Sequence, residues 1–419
     1  MTLNCVFLKS DSVPYELSSL NLFLLMYADD MVLFSETVDG LQSLLENLYC
    51  YCKKWNLCIN VEKSKIVVFR NSGKIKDNEQ WFIGNEILEN VDKFTYLGIL
   101  FHYNNKFTKA EKQLADQSRK AMFALRKNIR GMSLNIETLL SLFDCYIGGI
   151  ASYASEIWGT HKGKYVEKVH TDFCKQILGV KKNTSNFVVY ADLGTVPLLY
   201  NKLFSIVKFW SKVLYNENCI LRNCYEEMYT NCEKYKCKNW AYNVKKILID
   251  LGFNGIWIDQ KIDNSMLQIV KTRIFDQAKQ DIFSKIEKSR KCIFYKYLID
   301  GLYLQCYLRK SIPVKFQRCI SKIRLSSHQL AIEAGRYSNT IRRDRCCRLC
   351  VNSIEDEYHF ILVCPLFTEL RRKFIKEYYY KRPSMFKLIQ LFNTENFKDL
   401  CNLGKFIYNS FILRENCNP

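Results

Sequence analysis

Residues 22–34 read LFLLMYADDMVLF. Two short apolar runs, 22–27 and 31–34, flank Ala28-Asp29-Asp30. Each run is too short for a helix and apolar at consecutive positions, as in a strand covered on both faces. The break between them is tight, so the stretch predicts a buried two-stranded hairpin with Ala28, Asp29 and Asp30 at its turn. Adjacent carboxylates there repel each other and are desolvated by their flanks. A divalent cation is the usual compensation, and Mg2+ takes oxygen ligands while often holding substrate phosphates. A hairpin that presents Asp29 and Asp30 to Mg2+ is half of a two-metal phosphoryl-transfer centre. Taken alone, an Asp-Asp pair is a weak signal, and a solvated turn without function is the better reading of it.

Downstream, Leu41, Leu44, Leu45, Leu48, Cys52 and Trp55 fall on one face at helical spacing, with Thr37 or Asp39 as the cap. Residues 66–69 (IVVF) read as a strand, and 81–87 (WFIGNEI) as a hairpin turning at Gly84-Asn85. Residues 94–101 (FTYLGILF) read as one further strand with Gly98 inside it. Beyond them the pattern is helical. Residues 109–130 form a basic amphipathic helix carrying Leu114, Ala121, Leu125 and Ile129, with Gly131 to end it and Asn135 to cap the next. Residues 266–308, rich in Lys and Tyr, also read as helical.

The chain of 419 residues is 48% apolar and 25% charged, with 16 Gly and 6 Pro, which excludes low-complexity disorder. Lys and Arg outnumber Asp and Glu by 62 to 42, a net +20 that favours polyanionic partners. The 26 Tyr and 27 Phe suit a surface that tracks phosphates and stacks bases, although any single ring is better placed in the core. Most of the 19 Cys are scattered, as at Cys145, Cys174, Cys219 and Cys292, which points to a reducing, intracellular site, nuclear or cytoplasmic. No run approaches the ~18 apolar residues of a membrane span. Residues 20–28 lack the basic flank of a signal peptide, because Lys9 is offset by Asp11 and Glu16 and the stretch is interrupted by Pro14 and Tyr15. No membrane partner is expected.

One cysteine group stands apart. Cys347-x2-Cys350-x8-His359-x4-Cys364 has the spacing of a tetrahedral Zn2+ site, with Cys346 an alternative to Cys347 by one register step. His359 and Cys364 read as a short helix ended by Pro365, and Arg342, Arg343, Arg345 and Arg348 around the first pair favour thiolate. His102, His161, His170 and His328 have no Cys or Asp partner in the sequence and receive no role. Lys181, Lys182 and the run Arg371-Arg372-Lys373 are candidate phosphate contacts, beside the commoner reading of a solvated face.

Taken together, residues 27–36 (YADDMVLFSE), Gly40-Leu41-Gln42, Tyr51-Cys52-x2-Trp55, residues 60–65 (NVEKSK) and Phe94-Thr95-Tyr96-Leu97-Gly98 resemble the palm of non-LTR retrotransposon reverse transcriptases. Residues 177–180 (ILGV), Leu193-Gly194 and Pro197-Leu198 resemble the same family's thumb. Gly335-Arg336-Tyr337, the Cys/His group, residues 356–360 (DEYHF) and Cys364-Pro365-Leu366 resemble its zinc-binding C-terminal segment. The resemblance covers residues 20–200 and resumes near 335.

The resemblance implies an α+β protein: a partial palm, a small antiparallel sheet with helices, then a mostly helical thumb and C-terminal domain with a small zinc site. The implied segments are palm 1–104, thumb 105–200, a basic helical connector 201–334 and a zinc domain 335–419. Asp29 would ligate Mg2+ directly with Asp30 close by, Tyr27 and Ala28 would border the primer terminus, Lys63 would act on the leaving pyrophosphate, and Gly98 would admit the primer backbone. RNA template and DNA primer would be the partners of the full enzyme, with the residue 109–130 helix along their backbones. The family's further catalytic carboxylate lies well upstream. Only 26 residues precede Tyr27, and Asp11 and Glu16, the acids among them, sit in no apolar strand. The expectation is therefore the C-terminal portion of a polymerase, inactive without its N-terminal half. Its palm sheet would lack its central strand and leave the hairpin with an open edge. The rival reading is a non-catalytic RNA- or DNA-binding zinc protein, or the product of a decayed element.

Overall fold

The computed structural model describes residues 2–8, 24–70, 73, 79–160, 163–350 and 353–416. Lys9, Asp11, Pro14, Tyr15, Glu16 and His161 lie outside the described residues. The chain divides into two compact units, each discontinuous in sequence: Met1–Gln117, Ala151–Tyr165 and Lys202–Val270 make the first, and Ser118–Ile150, Val166–Asn201 and Lys271–Pro419 the second. Among the described residues no helix is long and apolar enough to cross a membrane.

The first unit holds the sheet. Strands β1 (Thr2–Leu8), β2 (Leu24–Tyr27), β3 (Asp30–Ser35), β4 (Lys65–Phe69) and β7 (Glu89–Asn90) lie in the order β2-β3-β1-β4-β7. The β2–β3 pair is antiparallel, whereas β1 runs parallel to both β3 and β4. The expected gap at the centre of the sheet is thus filled, because β1 takes the place beside β3. Its seven residues, TLNCVFL, include no acid. The hairpin is also less buried than its apolar runs suggested. All of β2 is exposed and forms the sheet edge, while Met31, Val32 and Leu33 of β3 are buried.

Helix α1 (Val38–Lys54) covers one face of this sheet. Thr37 is the cap, its hydroxyl accepting from the Gly40 N–H at 3.1 Å. Leu41 and Leu45 pack on Met31, Leu33, Ile66, Val68 and Trp81, and the Trp81 indole donates to the Val38 carbonyl at 3.1 Å. Trp55, expected on that face, is 61% exposed, because the helix ends at Lys54 and the chain turns away. Strands β5 (Phe82–Ile83) and β6 (Glu86–Ile87) form the hairpin expected at Gly84-Asn85. Strands β8 (Lys93–Tyr96) and β9 (Ile99–His102) form another. The expected single strand over 94–101 is therefore two strands, broken at Leu97-Gly98. Helix α2 (Thr108–Asn128) follows. The helices of residues 202–270 gather around Trp210, whose indole donates to the Tyr225 hydroxyl at 2.7 Å.

The second unit is helical and built on a buried charge. Asp192 closes the helix Asn186–Leu193, and Arg324 closes Val314–Arg324. Their side chains meet at 3.3 Å, 0% and 1% exposed. Tyr295 donates to Asp192 Oδ1 at 3.3 Å, and Tyr307 donates to Oδ2. The guanidinium also donates to Gln305 Oε1 (3.0 Å), the Phe392 carbonyl (3.3 Å) and Asn393 Oδ1 (3.2 Å). Gly194, next in sequence, has φ +66°, and a Cβ there would lie 2.4 Å from the Leu304 nitrogen. Only glycine lets the chain pass this close.

Replacing one member of a buried ion pair leaves the other charge uncompensated. Asp192→Leu is expected to lower the stability of the second unit by about 3–5 kcal/mol, measured as a fall in urea midpoint. The double change Asp192→Leu with Arg324→Met should recover part of that loss. A single variant as stable as the parent would contradict the pair's place at the centre of this core.

Candidate active site and metal centre

Tyr27 pairs with Asp30 across the β2–β3 hairpin, so its loop is Ala28-Asp29 alone. Ala28 has φ +54°, a left-handed conformation that costs an L-residue about 1–2 kcal/mol. Strain of this kind gathers at functional sites. Asp29 stands exposed at the tip, Asp30 is half-buried, and the Tyr27 ring is 66% exposed. Tyr96 of β8 lies near this hairpin. Burial raises the pKa of Tyr96, and the nearby Asp30 carboxylate raises it further. Leu97 and Gly98 both take positive φ, +46° and +81°. A primed two-residue turn demands this, and a bulky residue rarely supplies it. Tyr153 holds the turn: its hydroxyl donates to the Leu97 carbonyl at 2.9 Å, and a Cβ on Gly98 would lie 3.1 Å from its ring. Asp30 and Tyr96, far apart in sequence, are therefore brought near each other. Tyr153 was not legible as the support of the β8–β9 turn, since its partner is 56 residues away.

Among the described residues, the Cys/His group alone gathers three or more potential metal ligands. Asp29 and Asp30 thus stand as a pair of hard oxygen donors, suited to Mg2+ but fewer than a two-metal centre requires. Lys63 is exposed in the turn after α1, where its backbone N–H donates to Asn60 Oδ1 at 2.9 Å. Lys181 turns its ammonium onto the His328 carbonyl at 3.0 Å, and burial, with Lys291 beside it, lowers its pKa. Lys182 is exposed. Of the run 371–373, Arg372 is exposed and paired with Glu369 at 2.8 Å, but Arg371 is buried and no surface contact for a phosphate. One residue of helix separates the two, enough to send one side chain inward and the next outward.

In the second unit the ligand atoms of Cys347, Cys350, His359 and Cys364 all lie within 4.8 Å of one another. Tetrahedral zinc with Zn–S near 2.3 Å places its sulfurs about 3.8 Å apart, so the group is close to a closed Cys3His set. The register belongs to Cys347, since Cys346 is exposed with its thiol on the Arg343 carbonyl. The knuckle is closed by the Cys347 N–H on the Ser353 carbonyl at 2.8 Å, and the Leu349 and Cys350 amides face the Cys347 sulfur. Ser353 Oγ lies 2.7 Å from His359 Nδ1, leaving Nε2 directed at the Cys350 sulfur 3.3 Å away. With the Ser353 hydroxyl accepting from Nδ1–H, the Nε2 lone pair would face the ligand cluster. Burial lowers the His359 pKa and keeps the ring neutral.

The thiols behave differently from the expectation drawn from the neighbouring arginines. Burial raises the pKa of Cys347. Cys364 is pushed up to about 12, first by burial and then by the other two cysteines. Arg345 is no help to them, because it donates to the carbonyls of Ile332 (2.7 Å) and Thr340 (2.8 Å). His328, given no role, has a buried partner in Glu357 at 3.0 Å. His170 is buried against Phe143 and Tyr190, with Glu167 3.8 Å away.

Residues 7–101, which contain both hairpins of the first site, match the family described as reverse transcriptase (RNA-dependent DNA polymerase). A transposon-derived protein of Caenorhabditis elegans is 26% identical over 166 residues, 38% of this chain and 58% of that protein. The chain resembles a retrotransposon reverse transcriptase. The chain thus spans little more than half the length of the curated relative it matches. The reverse transcriptase match ends before the Cys/His group, whose reading rests on its own geometry.

Because burial raises the Cys347 and Cys364 thiols and ligation takes thiolates, metal uptake must displace their protons, and affinity should rise with pH. Purified chain is expected to carry one zinc ion near pH 8 and to lose it by about pH 5, followed by metal analysis after gel filtration. Cys364→Ser should abolish that stoichiometry, while Cys346→Ser should not. Zinc retained equally by both variants would remove Cys364 from the ligand set.

Proposed function

We propose that this chain serves an RNA-directed DNA polymerase of the non-LTR retrotransposon class. The observation that carries the reading is the strained Ala28-Asp29 loop, which presents Asp29 and Asp30 at the tip of the β2–β3 hairpin, with Tyr96 of β8 near enough to feel the Asp30 charge. Asp29 and Asp30 would hold Mg2+, which supplies positive charge against the transferring phosphate. The exposed Tyr27 ring offers a face to the primer end, and Gly98, whose lack of a Cβ makes room for the Tyr153 ring, would shape the turn that borders the primer strand. Lys63 would meet the departing pyrophosphate from the turn after α1. Zn2+ at Cys347, Cys350, His359 and Cys364 would staple the C-terminal part of the second unit. RNA template and DNA primer are the proposed partners, inside the cell.

The pair of carboxylates is insufficient by itself, so the chain alone is proposed not to extend a primer. A further acid, from another chain or from residues outside those described, would complete the centre. The second reading, nucleic-acid binding without catalysis, is favoured by one observation. Burial first and then the Lys291 charge lower the pKa of both Lys175 and Lys181 of the second unit, and the Lys322 charge adds to the effect at Lys181. Crowded cations of this kind are relieved by a polyanion.

The test is primer extension on an RNA template with Mg2+, beside an Asp29→Asn control. The expected result is no incorporation above the control, with template–primer binding that weakens steeply as salt rises. Lys182→Ala should reduce the salt slope by about 1. Incorporation abolished by Asp29→Asn would show that the chain completes its own centre. Folded protein without salt-dependent binding would overturn both readings.

A further inference from the structure

Arg371 is a permanent cation in the core of the second unit, 3% exposed. Its Nη2 donates to the carbonyl of Cys364 and to Thr368 Oγ1 at 3.3 Å. Its Nη1 is buried with no hydrogen-bond partner. Cys364 and Tyr380 are the titratable groups that act on it, and among the described residues it forms no ion pair with a carboxylate. Its charge also bears on His359. The guanidinium is thus bonded to the backbone of one metal-ligand residue, Cys364, with both Nη1 donors unspent. A buried charge without a counter-charge is strongly unfavourable.

We infer that Arg371 is the counter-ion of the metal centre. A divalent ion held by three thiolates and a neutral imidazole carries one net negative charge, and Arg371 is the buried positive charge next to it. The inference rests on the zinc reading of the Cys/His group. Metal ligation takes cysteine as the thiolate, so loading places a net anion beside the guanidinium. The cation and the metal thus stabilise each other, and the two hydrogen bonds to Cys364 and Thr368 fix the guanidinium where that charge appears.

Zinc affinity of the full chain can be measured by competition with a chromophoric chelator, with Co2+ absorption as a second readout of tetrahedral thiolate ligation. Arg371→Met is expected to weaken Zn2+ by about 10–100-fold and to leave the Co2+ spectrum tetrahedral. It should leave the metal-free chain no less stable in urea, because it removes an unpaired buried charge. Arg371→Lys should recover part of the affinity. In a Cys350→His background the loaded centre is neutral, and there Arg371→Met should cost less than about threefold. An equal cost in both backgrounds would overturn the inference. So would a loss of metal-free stability as large as the loss when loaded, which would make Arg371 a cap for the Cys364 carbonyl only. A parent chain that takes up neither Zn2+ nor Co2+ would overturn the metal reading itself, and the inference with it.

Discussion

The contact between Asp192 and Arg324 is the constraint on which the second unit depends. Both charges are withdrawn from water, and such a pair is tolerated only when the remaining donors and acceptors are met. Here they are met from five stretches of chain: Asp192 itself, Tyr295, the Gln305–Tyr307 turn, Arg324, and the carbonyl and side chain of Phe392 and Asn393. A pair of this kind adds little stability relative to an apolar core, but it admits few alternative packings. The same core contains Phe360, Phe367, Cys347 and Cys364. The geometry of the Cys/His group is therefore inherited from a scaffold whose register is fixed by charge.

What the sequence disclosed followed the strength of local rules. Two apolar runs around a polar break gave the β2–β3 hairpin, since that pattern has few other outcomes. The Cys-x2-Cys…His-x4-Cys spacing gave the four clustered side chains for the same reason. The β8–β9 turn was hidden, because Leu97 adopts a backbone conformation that its own type disfavours. Tertiary contact from Tyr153 holds it there, and no local signal encodes that contact. β1 was missed for a different reason: it pairs with strands more than twenty residues downstream, and its seven residues show no clean alternation.

Charge runs were the least legible feature. Lys181-Lys182 and Arg371-Arg372-Lys373 read in sequence as surface stretches, yet each sends one side chain toward protein. At Arg371-Arg372 the cause is helix geometry, a rotation of about 100° per residue, whereas Lys181-Lys182 lie in the loop between Leu178 and Asn186. Lys181 is spent on a carbonyl, and Arg371 is enclosed beside a cluster of thiols. Arg345, two residues before Cys347, is turned to the carbonyls of Ile332 and Thr340, whereas Arg371, seven residues after Cys364, donates to the Cys364 carbonyl.

The two candidate sites differ in how their charges are balanced, and the difference bears on what each can do. Asp29 and Asp30 lie on an exposed turn, where water screens their repulsion and an incoming ion or phosphate can replace that water. Such a site can stay incomplete until its partners arrive, which suits a surface that must accept and release substrate. Cys347 and Cys364 are buried, and burial raises both thiols. Water cannot screen charge there, so the protein must hold either protons on sulfur or a metal with a matching cation. The site is closed by its own four donors, with no open position for a substrate to occupy. Under the proposed function, the chemistry of transfer would belong to the exposed pair, and the enclosed group is suited to holding the chain around it.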